Sequence, residues 1–179
     1  MNRVEQSLTQ YAAYHRDRRN IATHFVGVPM IVFAIILALA YASFPLGTVT
    51  VTVATVVAIG MCAYYLLLDR VLGVAMTIAM FLICAGASEV SARLSAGGAL
   101  AIAFTVFTAG WMLQFLGHKY EGMKPAFFDD ARQLFIGPLF VCAEAFFLLG
   151  GRPELRRYIE QRVGPTVPRR DGAPLTPAT

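Results

Sequence analysis

Residues 25–44 read FVGVPMIVFAIILALAYASF, twenty consecutive positions without an Asp, Glu, Lys or Arg. A helix of about 20 apolar residues spans the roughly 30 Å hydrocarbon core of a bilayer, so this stretch predicts a membrane span. Three further runs share its character: Thr48 to Leu68, Val71 to Ser88 and Ala99 to Gly117. A fifth, Leu134 to Gly150, is shorter and carries Pro138 and Glu144. The 179 residues are 57% hydrophobic and 15% charged. Soluble domains average about 45–50% and about 25%, so an ordinary cytosolic globule is excluded. The fold class is therefore all-α, an integral membrane helical bundle.

The connections support this. Pro45-Leu46-Gly47 is a turn signal, and Asp69-Arg70 leaves almost no loop, so the runs joined there are antiparallel neighbours. The second run is rich in Val and Thr and would form a strand in a soluble protein. A lone strand in lipid leaves its backbone groups unpaired, so a helix is expected. The first 24 residues are polar and the run after them is longer than the apolar core of a signal peptide, so the first run is expected to stay in the mature protein. Residues 1–163 form one membrane domain on this reading. Residues 164–179 form a Pro-rich tail with nothing to bury, expected to be disordered.

Cytoplasmic segments carry the excess of Lys and Arg, which lets the crossings be counted. Five crossings divide the 15 basic residues 8 to 7, whereas four crossings divide them 14 to 1. The expected topology is four transmembrane helices, both termini cytoplasmic, and a re-entrant or interfacial fifth segment. The net charge of +4 then reflects orientation, and no nucleic-acid partner is implied. Cys62, Cys84 and Cys142 are widely separated within apolar runs and read as small buried hydrophobes.

The chemistry lies at the ends of the runs. The only histidines are His15 and His24, before the first run, and His118, after the fourth. Four crossings return the chain to the face it left, so all three can meet in one layer there. Imidazoles with a carboxylate suit a first-row metal with open positions, and two histidines with one carboxylate favour non-haem Fe(II) and O2. Glu121, three residues after His118, shares its helical face. His15 and His24 are nine residues apart, half a turn out of phase and roughly 13 Å along a straight helix. Both can serve one ion only if the chain breaks between them, around Arg16 to Asn20. Otherwise one of them is no ligand, and the bland alternative is that all three are interfacial hydrogen bonders.

Asn20 is four residues before His24 and can fix its ring, or else cap the helix. Glu144, inside an apolar run, is costly unless paired, so it either orients a histidine or bonds the backbone near Pro138. Gln114 lies one turn before His118 as a hydrogen bonder. Lys124, Arg19 and Lys119 are candidates for a substrate carboxylate, against the plainer role of anchoring to headgroups.

Three stretches also carry a family resemblance. Tyr14 to Pro29 holds Tyr-His, Asn, His and Gly-x-Pro; Trp111 to Ala126 holds Gln-Phe-x-Gly-His, then Glu and Lys-Pro-Ala; Gly137 to Phe140 is followed by Glu144. In this order, over residues 11 to about 148, they resemble the membrane 2-hydroxy fatty-acid dioxygenase family, first catalogued as a domain of unknown function. The resemblance implies an Fe(II)-dependent oxidoreductase of fatty-acid α-oxidation. Such an enzyme takes a 2-hydroxy long-chain fatty acid from the membrane lipid and, with O2 as co-substrate, releases CO2 and an acid one carbon shorter. It implies iron ligands at His15, His24 and His118, with Glu121 or Glu144 completing the set. The alternatives are a zinc-dependent lipid hydrolase, which the same ligands suit, and a non-catalytic scaffold or transporter.

Overall fold

The computed structural model describes residues 2–167. Among these residues the chain forms seven helices and one hairpin: α1 (Arg3–Ala12), α2 (Arg18–Leu39), β1 (Ser43–Leu46), β2 (Val49–Thr52), α3 (Val53–Leu68), α4 (Arg70–Arg93), α5 (Ala96–Glu121), α6 (Gln133–Leu148) and α7 (Pro153–Val163), with a 3-10 turn at Ala126–Phe128. It is an all-α membrane helical bundle. Two compact units divide it: residues up to Val28 together with those from Met112 on, and Pro29–Trp111.

In the Pro29–Trp111 unit, the core is Ile36, Leu37, Ala54, Ala58, Met80, Ala87, Ala99 and Ala103. Most are alanines, the small side chains that let helices approach closely where lipid removes any hydrophobic drive to associate. Large apolar side chains such as Leu67, Phe81 and Phe104 point outward, 71–86% exposed, a surface fit for acyl chains. Asp69 alone joins α3 to α4, and its carboxylate accepts from the N–H of Leu72 at 2.9 Å, capping the second helix. The two helices pack on each other.

The hairpin departs from expectation. The first run was expected to stay helical to Phe44 and the second to be helical from Thr48, but α2 stops at Leu39 and β1 and β2 pair antiparallel from Ser43↔Thr52 to Leu46↔Val49. The physical reason is local pairing. The turn signal at Gly47 folds the Val/Thr-rich segment onto its neighbour, which satisfies the backbone groups that a lone strand would expose. Helix α3 then starts at Thr52, whose hydroxyl accepts from the N–H of Thr55. It keeps 16 residues, about 24 Å. Helices α2, α4 and α5 are long and apolar enough to cross a bilayer.

In the other unit, α1 presents Val4, Leu8, Tyr11 and Ala12 on one face and packs against α6 and α7. Fully burying a residue such as Leu8 contributes about 1.5–3 kcal/mol. Helices α6 and α7 meet at 112°, the geometry of a broken span or of the re-entrant loop expected for the fifth run. Gly150 makes this elbow by taking φ +78°, the left-handed ending that glycine adopts without penalty, and Pro153 starts the next helix. The tail expected from residue 164 begins in an ordered stretch: the N–H of Val167 donates to the carbonyl of Arg16, and the N–H of Arg18 donates back to Val167. Residues 168–179 of that tail lie outside the described residues.

Candidate metal centre

The site is built where α1 hands over to α2. Helix α1 ends at Ala12, and Asp17, whose carboxylate accepts from the N–H of Arg19 at 2.8 Å, starts the next helix. The chain therefore breaks between the first two histidines, which removes the half-turn mismatch of a straight helix. His15 sits in the break, His24 two turns into α2, and His118 in the last turn of α5. All three are buried, and their ligand nitrogens lie within 4.8 Å of one another.

The ring orientations are set by the backbone. His15 Nδ1 donates to the carbonyl of Tyr11 at 2.8 Å, and His24 Nδ1 donates to the carbonyl of Asn20 at 2.9 Å. Each donor is four residues after its acceptor. With the hydrogen on Nδ1, each Nε2 carries a lone pair, and these two Nε2 atoms stand 3.1 Å apart. Facing lone pairs repel unless a proton or a cation lies between them. A proton is disfavoured, because burial, and then the neighbouring His24 and His118, hold the His15 imidazole well below its ordinary value. A metal ion meets the need: two imidazoles at right angles on an ion with bonds of about 2.1 Å have nitrogens about 3 Å apart. His118 adds a buried Nδ1 that has no hydrogen-bond partner. The donor set thus fits a first-row metal.

Glu121 was expected to share that ion. Its carboxylate instead accepts from the N–H of Arg16 with both oxygens, at 3.1 and 3.0 Å, from the N–H of Asp17 at 2.8 Å and from Asn20 Nδ2 at 3.0 Å. The backbone donors precede the first turn of α2 and Asn20 lies within it, so the carboxylate sits where a helix dipole favours negative charge. Asn20 holds the His24 ring as expected, but through its backbone carbonyl, while its side-chain amide reaches Glu121. The close approach that allows this is made by Gly117. A Cβ there would stand 2.2 Å from Thr23 Oγ1 and 2.4 Å from Asn20 Oδ1.

Glu144 reaches neither a histidine nor the Pro138 backbone; its carboxylate stands 3.6 Å from Arg16 Nη2. Gln114 is buried beside His118, and its Nε2 has no hydrogen-bond partner. The charges expected for a substrate carboxylate are partly matched already, Arg19 by Asp17 at 2.8 Å and Lys124 by Asp129, while Lys119 is exposed. Two residues emerge that sequence reasoning did not single out. Tyr11 stacks on His15 with ring centroids 4.1 Å apart and planes 5° apart. Arg16 is buried, its Nε donating to the carbonyls of Ala12 and His15 and its Nη1 to Gly164. The i, i+4 spacing from Tyr11 to His15 was the available signal for the first. For the second, nothing in one sequence distinguishes Arg16 from its exposed neighbours.

A curated protein from Saccharomyces cerevisiae, the 2-hydroxy-palmitic acid dioxygenase MPO1, is 28% identical over 163 residues, covering 88% of this chain and 87% of its own. No solved structure matches. A family model described as 2-hydroxy-palmitic acid dioxygenase Mpo1-like matches residues 1–149, the range that holds every histidine and both carboxylates described above, and this chain belongs to that family.

Proposed function

We propose that this protein is an Fe(II)-dependent dioxygenase that shortens 2-hydroxy long-chain fatty acids by one carbon. The observation that carries the reading is the pair of Nε2 lone pairs facing each other at 3.1 Å, with a third buried imidazole beside them. The yeast relative is named for the same reaction class. The balanced reaction takes one 2-hydroxy acid and one O2 to one shortened acid, one CO2 and one water. The bond between C1 and C2 breaks and O2 takes up four electrons. His15, His24 and His118 would hold the iron, which would supply the redox couple that O2 reduction needs.

The protein's own groups do the rest. The carbonyls of Tyr11 and Asn20 keep both Nδ1 atoms protonated and both Nε2 atoms available as ligands. Glu121 and Asn20 hold the turn that brings His15 against His24. Tyr11 and Phe140 wall the His15 ring and exclude water. The site lies at the cytoplasmic face in the topology that the basic residues favour, so a membrane-dissolved acid reaches it from the side. Residues 1–163 act as one membrane domain in this reading.

The test is metal content together with turnover. Purified protein reconstituted anaerobically with Fe(II) should convert 2-hydroxypalmitic acid and O2 into pentadecanoic acid and CO2 in a 1:1 ratio. His118→Ala should lose both iron and product while the bundle stays folded. Zinc-loaded protein that hydrolyses a lipid and consumes no O2 refutes the reading.

A further inference from the structure

The elbow between α6 and α7, together with the start of α2, lines a partly open cavity of about 430 Å³ that none of the three histidines borders. Its charged lining is Arg16, Arg18 and Arg156 against Glu144 and Glu160, which leaves a single formal positive charge. Arg156 is taken up by Glu160, its Nε donating to the carboxylate at 2.8 Å. The other two arginines have capacity to spare. Arg16 is 4% exposed, yet its Nη2 has no hydrogen-bond partner and stands a loose 3.6 Å from Glu144. The Arg18 side chain has no hydrogen bond or ion pair among the described residues. A buried guanidinium nitrogen without a hydrogen-bond partner is costly even beside a carboxylate, and it marks a place where a closer acceptor belongs.

The rest of the lining is apolar. Ile21, Ala22 and Phe25 come from successive turns of α2, and Phe147, Leu148 and Ile159 come from the two sides of the elbow. A cationic end joined to an apolar wall matches one acyl chain ending in a carboxylate. Small-molecule sites run from about 300 to 1,000 Å³, and this cavity, near the lower bound, suits a single chain better than a two-chain phospholipid. One monoanionic carboxylate also neutralises the lining.

We propose that this cavity is a fatty-acid carboxylate site, separate from the histidine cluster, in which Arg16 and Arg18 hold the head group while Ile21, Phe25 and Phe147 hold the chain. The choice of a fatty acid as occupant rests on the dioxygenase reading; the charge and apolar lining do not. The site gives the protein a second place for that substrate or product class, lined by none of the three histidines.

The experiment uses the full chain in lipid nanodiscs with nitroxide-labelled stearic acid, reading the motionally restricted spectral component. It is run on metal-free protein, so that it is indifferent to turnover. Hexadecanoic acid should displace the label, and hexadecan-1-ol, which lacks the charge, should not. Ala22→Trp, which fills the cavity from an exposed position, should remove the restricted component. Arg16→Gln should weaken binding about tenfold. Because Arg16 also holds backbone carbonyls, Arg18→Gln serves as the variant certain to leave them intact, with a loss of up to about fivefold. Equal displacement by the alcohol, or binding unchanged in Ala22→Trp, overturns the proposal. So does displacement by a single-chain phosphate lipid but not by hexadecanoic acid, which makes the cavity a phospholipid site. Binding that appears only with iron and vanishes in His118→Ala places the carboxylate at the histidines instead. Absence of turnover with binding intact refutes the dioxygenase reading and leaves this site standing.

Discussion

Replacing Glu121 with Gln separates a residue that shapes the metal centre from one that ligates it. The carboxylate accepts from three donors: the N–H groups of Arg16 and Asp17 and the side-chain amide of Asn20. A hydrogen bond to a charged group is worth about 1.5–3 kcal/mol and a neutral one about 0.5–1.5, so removing the charge costs about 1 kcal/mol per donor. Over three donors the loss is about 3 kcal/mol. For a chain of this length that corresponds to a fall in Tm of about 6–12 °C. Metal affinity should drop about 10- to 100-fold, as it does when a group that orients ligands is lost. The assay is thermal unfolding of metal-free Glu121→Gln in detergent beside wild type, followed by metal titration of both. Unchanged metal-free stability combined with complete loss of the metal would show that Glu121 is a ligand and that the hydrogen-bond reasoning is wrong.

Two further outcomes are expected. Gly117→Ala drives a methyl to within 2.2 Å of Thr23 Oγ1 and should cost about 1–3 kcal/mol and lower metal occupancy through His118; Thr23→Ala in the same chain should recover part of the loss, and a Gly117→Ala protein with wild-type Tm contradicts the close approach. The pH dependence follows from His15, held well below 6.5 by burial first and by its histidine neighbours second. The unfolded chain then takes up a proton below about pH 6.5 that the folded one refuses. Stability of the metal-free protein should therefore be full above that pH and decline as pH falls through it, with the decline smaller in His15→Gln; equilibrium unfolding between pH 8 and pH 5 measures it.

How much of this was legible in the sequence differs from residue to residue. That the three histidines come together was legible in the sequence from their places at the ends of the apolar runs. The break between His15 and His24 was posed by geometry as a condition, and the structure meets it. The hairpin was missed because Ser43 to Thr52 satisfies its backbone by pairing with itself, an option that hydropathy does not register. The hydrogen bonds of Glu121 were not legible, because sharing a helical face with His118 says nothing of what stands opposite. There the bare N–H groups of Arg16 and Asp17 compete for its oxygens, and they come from a segment more than 100 positions away in the chain. Glu144 depended likewise on a partner, Arg16, that no local pattern predicts.

The clamp of Glu121 on the start of α2 also sets an order of assembly during synthesis. His15 and His24 leave the ribosome early, but the carboxylate that shapes their turn and the third imidazole follow about a hundred residues later, and the carbonyl of Gly164 that holds Arg16 comes later still. Until then the nascent chain offers at most two imidazoles on an unformed turn, a poor trap for any stray cation. On the dioxygenase reading proposed above, metal loading would thereby be deferred until the helices that carry the third imidazole are in place, and the metal would meet a finished cage.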